Sequence, residues 1–186
     1  MGFLFAVVFL LIATPSRRTM LDSLVLVVPG LWLRAYASGY VRKNQELTTT
    51  GPYGYTRNPL YLGSMLIAFG FAGAAGSWWI AISLAVLFAV IYVPVIQGEE
   101  EFLRTEFAEF DEYARRVPRL LPRLRAGQGG QPGAGRFSLD LYRQHREYNS
   151  LIGAVAIYAA LAVRLASEHH ILGFNSTGLF TQPWWP

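Results

Sequence analysis

Two groups of polar side chains stand at the two ends of one apolar stretch of this sequence. The first, residues 51–63, contains Arg57 and Asn58, and the second, residues 99–119, opens with the three adjacent glutamates Glu99-Glu100-Glu101. Together they offer cations, carboxylates, an amide and aromatic faces. This inventory suits a zwitterionic small molecule that carries a cationic centre, hydroxyl groups and a purine. We therefore expect a binding site for such a molecule where the two groups meet.

The apolar stretch between the groups determines how they are positioned. It is broken only by Gly76-Ser77 near its middle, which predicts two helices joined by a tight turn. Two spans joined in this way begin and end on the same side of a bilayer. Both polar groups should therefore meet at one membrane face, where a site can take one reactant from water and another from lipid.

Apolar runs of this kind recur along the whole chain. The sequence is 53% hydrophobic and only 15% charged, and its apolar residues are clumped into runs close to the length that crosses a bilayer. The predicted spans are 2–14, 20–38, 59–76, 78–97 and 149–167. The fold class is therefore all-α: an integral-membrane helical bundle of about five transmembrane helices with a cytoplasmic amphipathic helix. A soluble protein with buried helices is the alternative, and the number of apolar runs argues against it. The first run lacks the basic stretch and the cleavage site of a signal peptide.

The same pattern divides the chain into four parts. Residues 1–38 form N-terminal transmembrane helices, and 39–125 form a catalytic core with a cytoplasmic loop, the helical hairpin and a C-terminal motif helix. Residues 126–148 are a glycine-rich flexible linker with a short basic stretch. Residues 149–186 form a final transmembrane helix and a tail.

Basic residues indicate the orientation in the membrane. Most arginines lie around the second connection or between Arg104 and Arg146, whereas Arg17, Arg18 and Arg164 fall on the other side. The positive-inside bias places both polar groups in the cytoplasm, in a bacterial or archaeal inner membrane, although Arg17-Arg18 opposes it. Acidic residues interleave the basic ones and no nucleic-acid-binding motif occurs, so nucleic acid is not an expected partner.

Local patterns predict the structure around the polar groups. Gly51-Pro52 predicts a turn, and Asn58-Pro59 predicts a helix start with Asn58 as the cap. Gly63, Gly70, Gly73 and Gly76 predict close helix packing. From Glu99 to Val117 the apolar residues follow one helical stripe, which predicts a single amphipathic helix. In the simplest alternative the glutamates are only a solvated helix start, with Glu100 paired to Arg104.

Metal and disulfide chemistry receive no support from the sequence. It contains no cysteine, and His145, His169 and His170 have no ligand spacing. We therefore predict no metal site.

At the two polar groups the chain resembles a known family. The motifs are Gly-Pro-Tyr-x-x-x-Arg-x-Pro-x-Tyr-x-Gly at 51–63, Glu-Glu at 99–100 and Tyr-x-x-x-Val-Pro-Arg at 113–119. In this order, around a helical hairpin, they are similar to those of the isoprenylcysteine carboxyl methyltransferase and phospholipid (phosphatidylethanolamine) methyltransferase family. The resemblance covers about residues 40–122. It implies an integral-membrane methyltransferase that uses S-adenosylmethionine without a Rossmann domain.

The resemblance also implies roles for individual residues. It assigns catalysis to Arg57, Glu99 and Glu100. It assigns cofactor binding to Tyr55, Arg57, Asn58, Pro59, Tyr61, Gly63, Glu99, Glu100, Tyr113, Arg116, Pro118 and Arg119. A glutamate can accept bonds from ribose hydroxyls or the ammonium, an arginine can clamp the methionine carboxylate, and Tyr55 or Tyr61 can cover the adenine or face the sulfonium.

The methyl acceptor stays open. Isoprenylcysteine enzymes usually carry histidine where Asn58 stands, and the last apolar span is not explained by the resemblance. We expect a lipophilic acceptor, such as an amino-phospholipid, a prenylated carboxylate or thiol, or a similar amphiphile. An amine acceptor would need a base, for which Glu99 and Glu100 are the candidates. The alternatives are an NADPH-dependent sterol-type membrane reductase and a non-catalytic membrane binding or scaffold protein.

Overall fold

The chain folds into a bundle of helices. The computed structural model describes residues 9–42, 46–124 and 135–177, with side chains to residue 167. Its helices are α1 (Arg17–Ser38), α2 (Pro59–Ala74), α3 (Trp78–Glu106), α4 (Phe110–Arg116), α5 (Leu139–Gln144) and α6 (Tyr148–Thr177), with a short 3-10 helix at Gly51–Gly54. No strand occurs in these described ranges. The predicted all-α fold class is confirmed.

Some predicted segments fall outside this description. They are residues 2–8 of the first predicted span, residues 126–134 of the predicted linker and residues 178–186 of the tail. Residues 9–12, at the end of the first predicted span, are helical.

Helices α1 and α2 pack backbone to backbone through glycines. A Cβ atom on Gly63 would lie 2.9 Å from the carbonyl oxygen of Gly30, and one on Gly70 would lie 2.4 Å from a methyl group of Val27. Only glycine allows this approach, so the predicted packing role of Gly63 and Gly70 is confirmed. The contact brings the end of α1, with Arg34, against the start of α2.

Helices α2 and α3 form the predicted hairpin. Gly76 has a φ of 66°, a left-handed conformation that glycine adopts without strain, and it provides the tight turn. In the described chain, the helices long and apolar enough to cross a membrane are α1, α3 and the 148–167 part of α6. Helix α2 is apolar but has 16 residues, roughly 24 Å, which is shorter than a typical span.

The last helix packs along α1. The Tyr158 hydroxyl lies 2.7 Å from the Ser23 hydroxyl, and the Tyr158 ring meets Phe71 edge to face at 5.5 Å. Towards the other end of α6, Arg164 donates to the carbonyl oxygen of Ala13 at 2.6 Å. Ala154 and Leu161 of α6 belong to the buried core. The span that the sequence left unexplained is therefore an integral part of the bundle.

The outer faces of the long helices are apolar and exposed. Val25 of α1, Val90 of α3 and Val163 of α6 are 73%, 67% and 67% exposed. Surfaces of this extent are not stable against water and are typical of helices that face lipid. The protein is a membrane protein.

The region from Glu99 to Val117 differs from its prediction. Helix α3 continues past the membrane-spanning run to Glu106, and the chain breaks at Phe107, which has an extended conformation, before α4 begins at Phe110. The prediction of a single amphipathic helix is therefore wrong, because the same stripe of apolar residues fits the end of α3 followed by the short α4. Arg104 bridges the break by pairing with Asp111 at 2.8 Å.

Candidate functional site

The two predicted polar groups meet at the end of the bundle where α1 ends and α2 begins, which we call the site end. The backbone N–H of Arg57 donates to the carbonyl oxygen of Pro118 at 2.9 Å, and that of Arg123 donates to the carbonyl oxygen of Tyr55 at 3.0 Å. The Thr56 hydroxyl donates to the carbonyl oxygen of Leu120 at 3.0 Å. Residues 55–58 are thus fixed against residues 118–123.

Asn58 has a different role from the predicted one. Its side chain makes no capping hydrogen bond to α2, although Pro59 begins that helix as expected. The buried amide instead donates from Nδ2 to the carbonyl oxygen of Arg119 at 2.9 Å. The prediction of a cap is wrong because a longer-range acceptor, invisible to local sequence, takes the side chain. Asn58 joins the first polar group to the second.

Glu100 holds arginines from both groups. Its carboxylate lies 3.1 Å from Nη1 of Arg57 and 2.7 Å from Nη2 of Arg119, and only 6% of its side chain is exposed. We call these three side chains the Glu100 network. The simpler alternative, a solvated helix start with Glu100 paired to Arg104, does not occur, since the glutamate lies inside α3 and Arg104 pairs with Asp111. A buried carboxylate of this kind needs its cations, because an unpaired charge is costly away from water.

A cavity of about 390 Å³ opens beside the Glu100 network. Its volume lies within the range of roughly 300–1,000 Å³ that small-molecule sites occupy. The walls come from the ends of α1, α2 and α3, from α4, and from the loop after α1. Its polar and aromatic lining includes Arg34, Arg42, Glu46, Tyr53, Arg57, Asn58, Tyr61, Ser64, Tyr92, Glu99, Glu100, Tyr113 and Glu147.

Glu99 differs from the other lining carboxylates. Glu46 pairs with Arg42, Glu100 with Arg57 and Glu147 with Arg34. Glu99 has no cationic partner among the described residues and accepts only the Tyr61 hydroxyl, at 3.0 Å. The Tyr61 ring in turn meets Tyr92 edge to face at 5.0 Å. The exposed carboxylate of Glu99 therefore lies at the cavity wall with a hydrogen bond to the first of two packed tyrosines.

Arg57 carries the complementary feature. Its Nη1 binds Glu100, but its buried Nε has no hydrogen-bond partner in the described part of the chain. A buried N–H of a charged group without an acceptor is costly. Arg57 lines the cavity, so a ligand oxygen that reaches Nε from there would satisfy it.

Tyr113 fixes the floor of the site. Its hydroxyl donates to the backbone carbonyl oxygen of Tyr53 at 2.8 Å. Burial raises the pKa of Tyr113 above its ordinary value and the charge of Glu100 raises it further, while Arg57 lowers it. The phenol therefore stays protonated and remains a hydrogen-bond donor at neutral pH.

Sequence reasoning missed the ion pair of Arg34 and Glu147. Nη2 and Nε of Arg34 donate to the two carboxylate oxygens of Glu147 at 2.8 and 3.1 Å, and Nη1 donates to the Ser64 hydroxyl. Glu147 immediately precedes α6, far from either motif. Tyr92, which has no evident role in the sequence, also lines the cavity. No local signal identifies the ion pair, because only the packing of α6 on α1 brings Glu147 to Arg34.

The predicted site residues fall into two sets. Those that line the cavity are Arg57, Asn58, Pro59, Tyr61, Glu99, Glu100 and Tyr113. The others lie around it. Tyr55 is exposed, and Gly63 faces α1. Arg116 pairs with Glu112, whereas Pro118 and Arg119 contact Arg57 and Glu100 from behind the wall.

Comparison with known proteins is consistent with this architecture. The family described as phospholipid methyltransferase matches residues 4–109. The match covers more than half of the chain and ends before α4, so it includes Arg57, Glu99 and Glu100 but not Arg119 or Glu147. No solved structure gives a significant match.

Two curated relatives have names of a different kind. The chain is 43% identical over 105 residues to the nickel-cobalt-cadmium resistance protein NccN of Alcaligenes xylosoxydans xylosoxydans, covering 56% of this chain and 48% of the relative. It is 42% identical over 110 residues to the cobalt-zinc-cadmium resistance protein CzcN of Cupriavidus metallidurans, covering 59% and 50%. The chain thus spans about half the length of these relatives.

Proposed function

The chain belongs to the phospholipid methyltransferase family, and on this premise we propose that it is an S-adenosylmethionine-dependent membrane methyltransferase that acts on a lipophilic acceptor. The observation that carries the proposal is Glu99, the cavity carboxylate without a cationic partner among the described residues, which accepts the hydroxyl of Tyr61 where the Tyr61 ring packs on Tyr92. An anionic group beside aromatic faces is an environment for a cationic ligand group.

The charges of the cavity fit the proposed cofactor. S-adenosylmethionine carries a sulfonium and an ammonium, both cationic, and one carboxylate. The cavity offers Glu99 for a cationic group and the unsatisfied Nε of Arg57 for a carboxylate. Its described lining contains one more glutamate than arginine, so its formal charge favours a ligand with a net positive charge. The donor set therefore fits this cofactor.

Glu99 and Glu100 take different roles in this proposal. Both oxygens of Glu100 accept from arginine N–H groups, so Glu100 positions Arg57 and Arg119 and does not itself hold the ligand. Glu99 is the carboxylate that can bind a cationic group or accept a proton from an amine acceptor. Asn58 and Tyr113 hold the walls in place through their bonds to backbone carbonyl oxygens.

Methyl transfer requires mainly that the protein aligns the donor methyl group with the acceptor. When bound, S-adenosylmethionine supplies an electrophilic methyl group for an in-line displacement. The protein contributes by fixing donor and acceptor next to each other, an effect that can correspond to effective molarities of roughly 10⁵ M or more. We propose that the site end faces the cytoplasm, because the positive-inside bias favours this orientation, and that the acceptor arrives from the bilayer while the donor arrives from water.

Calorimetry on the full chain in non-ionic detergent micelles tests the proposal. Wild-type protein should bind S-adenosylmethionine and its demethylated product but not reduced nicotinamide cofactor. Glu99→Gln should weaken donor binding about 10- to 100-fold, the effect of losing a charge-assisted hydrogen bond of about 1.5–3 kcal/mol.

The matched control is Glu101→Gln, which removes an exposed carboxylate two residues further along α3 and outside the 390 Å³ cavity. It should bind the donor like wild type. Binding of neither donor form by wild-type protein would rule out the proposal, and equal binding by Glu99→Gln and wild type would show that the donor lies elsewhere.

Two other functions receive less support. Binding of reduced nicotinamide alone in the same experiment would favour the sterol-type reductase, and binding of no nucleotide would favour a scaffold. The relatives' names concern metal resistance. The described residues contain no group of three or more His, Cys, Asp or Glu side chains that could hold a metal ion, so we do not propose direct metal binding by this chain.

A further inference from the structure

Part of the cavity wall is formed by two residues that neither motif contains, Arg34 and Glu147. We propose that Arg34 is the acceptor-side subsite, where its guanidinium binds an anionic group of the amphiphilic acceptor, and that Glu147 is the positioning residue that holds it there. The inference rests on the proposed function, since it concerns the acceptor half of the same cavity.

The location of the pair favours a role at the site. Arg34 and Glu147 both line the cavity, with 23% and 10% of their side chains exposed. Helix α6 also has other contacts farther from the cavity, because Tyr158 binds Ser23 of α1 and Arg164 binds the carbonyl oxygen of Ala13, which precedes α1. A pair that served only to attach α6 would not need to face the cavity.

The energetics of the pair point the same way. Removing two charges from water is costly, and apolar residues of similar size usually stabilise a buried position as well or better. At the site end, Arg34 and Glu147 form a bidentate pair in spite of this cost. The Ser64 hydroxyl accepts a further hydrogen bond from Arg34, and the Ser150 hydroxyl donates one to Glu147. Such support fixes the direction of a guanidinium, which is the requirement of a residue that recognises a planar or tetrahedral anion.

The backbone before Glu147 is strained. Arg146 has a φ of 53°, a left-handed conformation that a residue with a Cβ adopts at a cost. This turn directs Glu147 towards Arg34, and the contact of His145 Nδ1 with the carbonyl oxygen of Ser38 at 3.1 Å holds the turn to the end of α1. Strain of this kind persists where the surrounding structure fixes a functional geometry.

The hydrogen-bond capacity of Arg34 defines the ligand. Of its five N–H groups, Nε and one on Nη2 bind Glu147, while those on Nη1 face Ser64 and the carbonyl oxygen of Leu60. The second N–H of Nη2 has no acceptor within the described ranges. It can donate to a phosphate or carboxylate oxygen, so the subsite takes an amphiphile with one of these groups near its head.

Direct binding tests the subsite with defined probes. Octyl phosphate, octanoate and the uncharged octyl glucoside would be titrated into the full chain in non-ionic micelles, alongside S-adenosylmethionine. Wild-type protein should bind octyl phosphate or octanoate about tenfold or more tightly than octyl glucoside, and the tighter of the two identifies the anion. Arg34→Gln combined with Glu147→Gln, which leaves no buried charge unpaired, should lose this preference and keep donor affinity within about twofold.

Further variants separate positioning from folding. Glu147→Gln alone should raise the apparent KM for a lipid extract in labelled methyl transfer more than it lowers kcat, and Glu147→Asp should recover part of the effect. Tyr158→Phe, which loosens α6 away from the cavity, should leave the anion preference intact. An unchanged preference in the double variant, or a preference lost equally in Tyr158→Phe, would overturn this inference alone. Absence of donor binding by wild-type protein would overturn the proposed function as well.

Discussion

The Glu100 network and the Arg34–Glu147 pair are two ion-pair systems at the wall of one cavity, with different origins in the sequence. The first joins the two motif groups at the ends of a helical hairpin. The second joins α1 to the residue just before α6, which lies outside the region that the family matches. In the first system Arg57 and Glu100 lie inside the matched region and Arg119 lies beyond it, whereas the second exists only because the last helix brings Glu147 to α1. We expect the donor side of the cavity to depend on the first and the acceptor side on the second.

Glu100→Gln should have the largest effect. It leaves Arg57 buried without its carboxylate and also releases Arg119, so we expect a loss of stability towards the upper end of about 3–5 kcal/mol, together with loss of donor binding. Arg119 is 48% exposed, and its share of the loss should be small because water can solvate it. Thermal unfolding in micelles measures the change, with Glu101→Gln as control. Similar stability of Glu100→Gln and Glu101→Gln would show that the Glu100 network does not stabilise the fold.

Glu147→Gln should lower stability less than Glu100→Gln, because it leaves one arginine, Arg34, without its carboxylate instead of two. We expect a loss towards the lower end of about 3–5 kcal/mol and unchanged donor affinity. Removing Arg34 as well should recover much of the stability, since no unpaired charge is left. If the double variant is less stable than the single one in the same unfolding assay, the pair is not an isolated unit, and the proposed independence of the two systems fails.

Gly63→Ala should disturb the Arg34–Glu147 pair more than the Glu100 network. The added Cβ would lie 2.6 Å from Cγ of Arg34 and 2.9 Å from the carbonyl oxygen of Gly30, so α1 must move. We expect a loss of about 1–3 kcal/mol, typical of an overpacked contact. Gly73→Ala is the matched control, since its nearest neighbour beyond the helix lies 4.0 Å away. Unfolding curves of equal midpoint would contradict the close packing of α1 on α2.

Asn58→Ala should have the smallest effect. It removes the hydrogen bond to the carbonyl oxygen of Arg119, and we expect a loss of about 1 kcal/mol with a moderate decrease in donor affinity. Asn58→His introduces the residue that isoprenylcysteine enzymes usually carry there. Its ring can also donate a hydrogen bond, so donor binding should exceed that of Asn58→Ala in calorimetry. A histidine variant that binds the donor no better than alanine would show that the bond to Arg119 does not shape the donor side.

The local patterns that predicted structure well are those whose cause is local. Apolar runs must satisfy their own backbone in lipid, so α1, α3 and α6 followed directly from composition. Gly51 and Gly76 mark turns because they adopt positive φ angles of 59° and 66°. The hairpin then required the two polar groups to meet, and Arg57 lies against Glu100 as a result. The cap at Asn58 and the single helix from Glu99 to Val117 were wrong, because in each case a contact or a break not encoded by the local pattern decided the structure.

The sequence by itself determined the helical class, the hairpin and the meeting of Arg57 with the paired glutamates, since a helix length and a turn suffice to place them. Only the tertiary structure decided that Glu100 is enclosed by two arginines while Glu99 is left without a cation, because adjacent residues on a helix face different neighbours. It also brought Glu147 to Arg34 across more than a hundred residues. That contact depends on how α6 packs against α1, and packing is a property of complementary surfaces that no single segment contains.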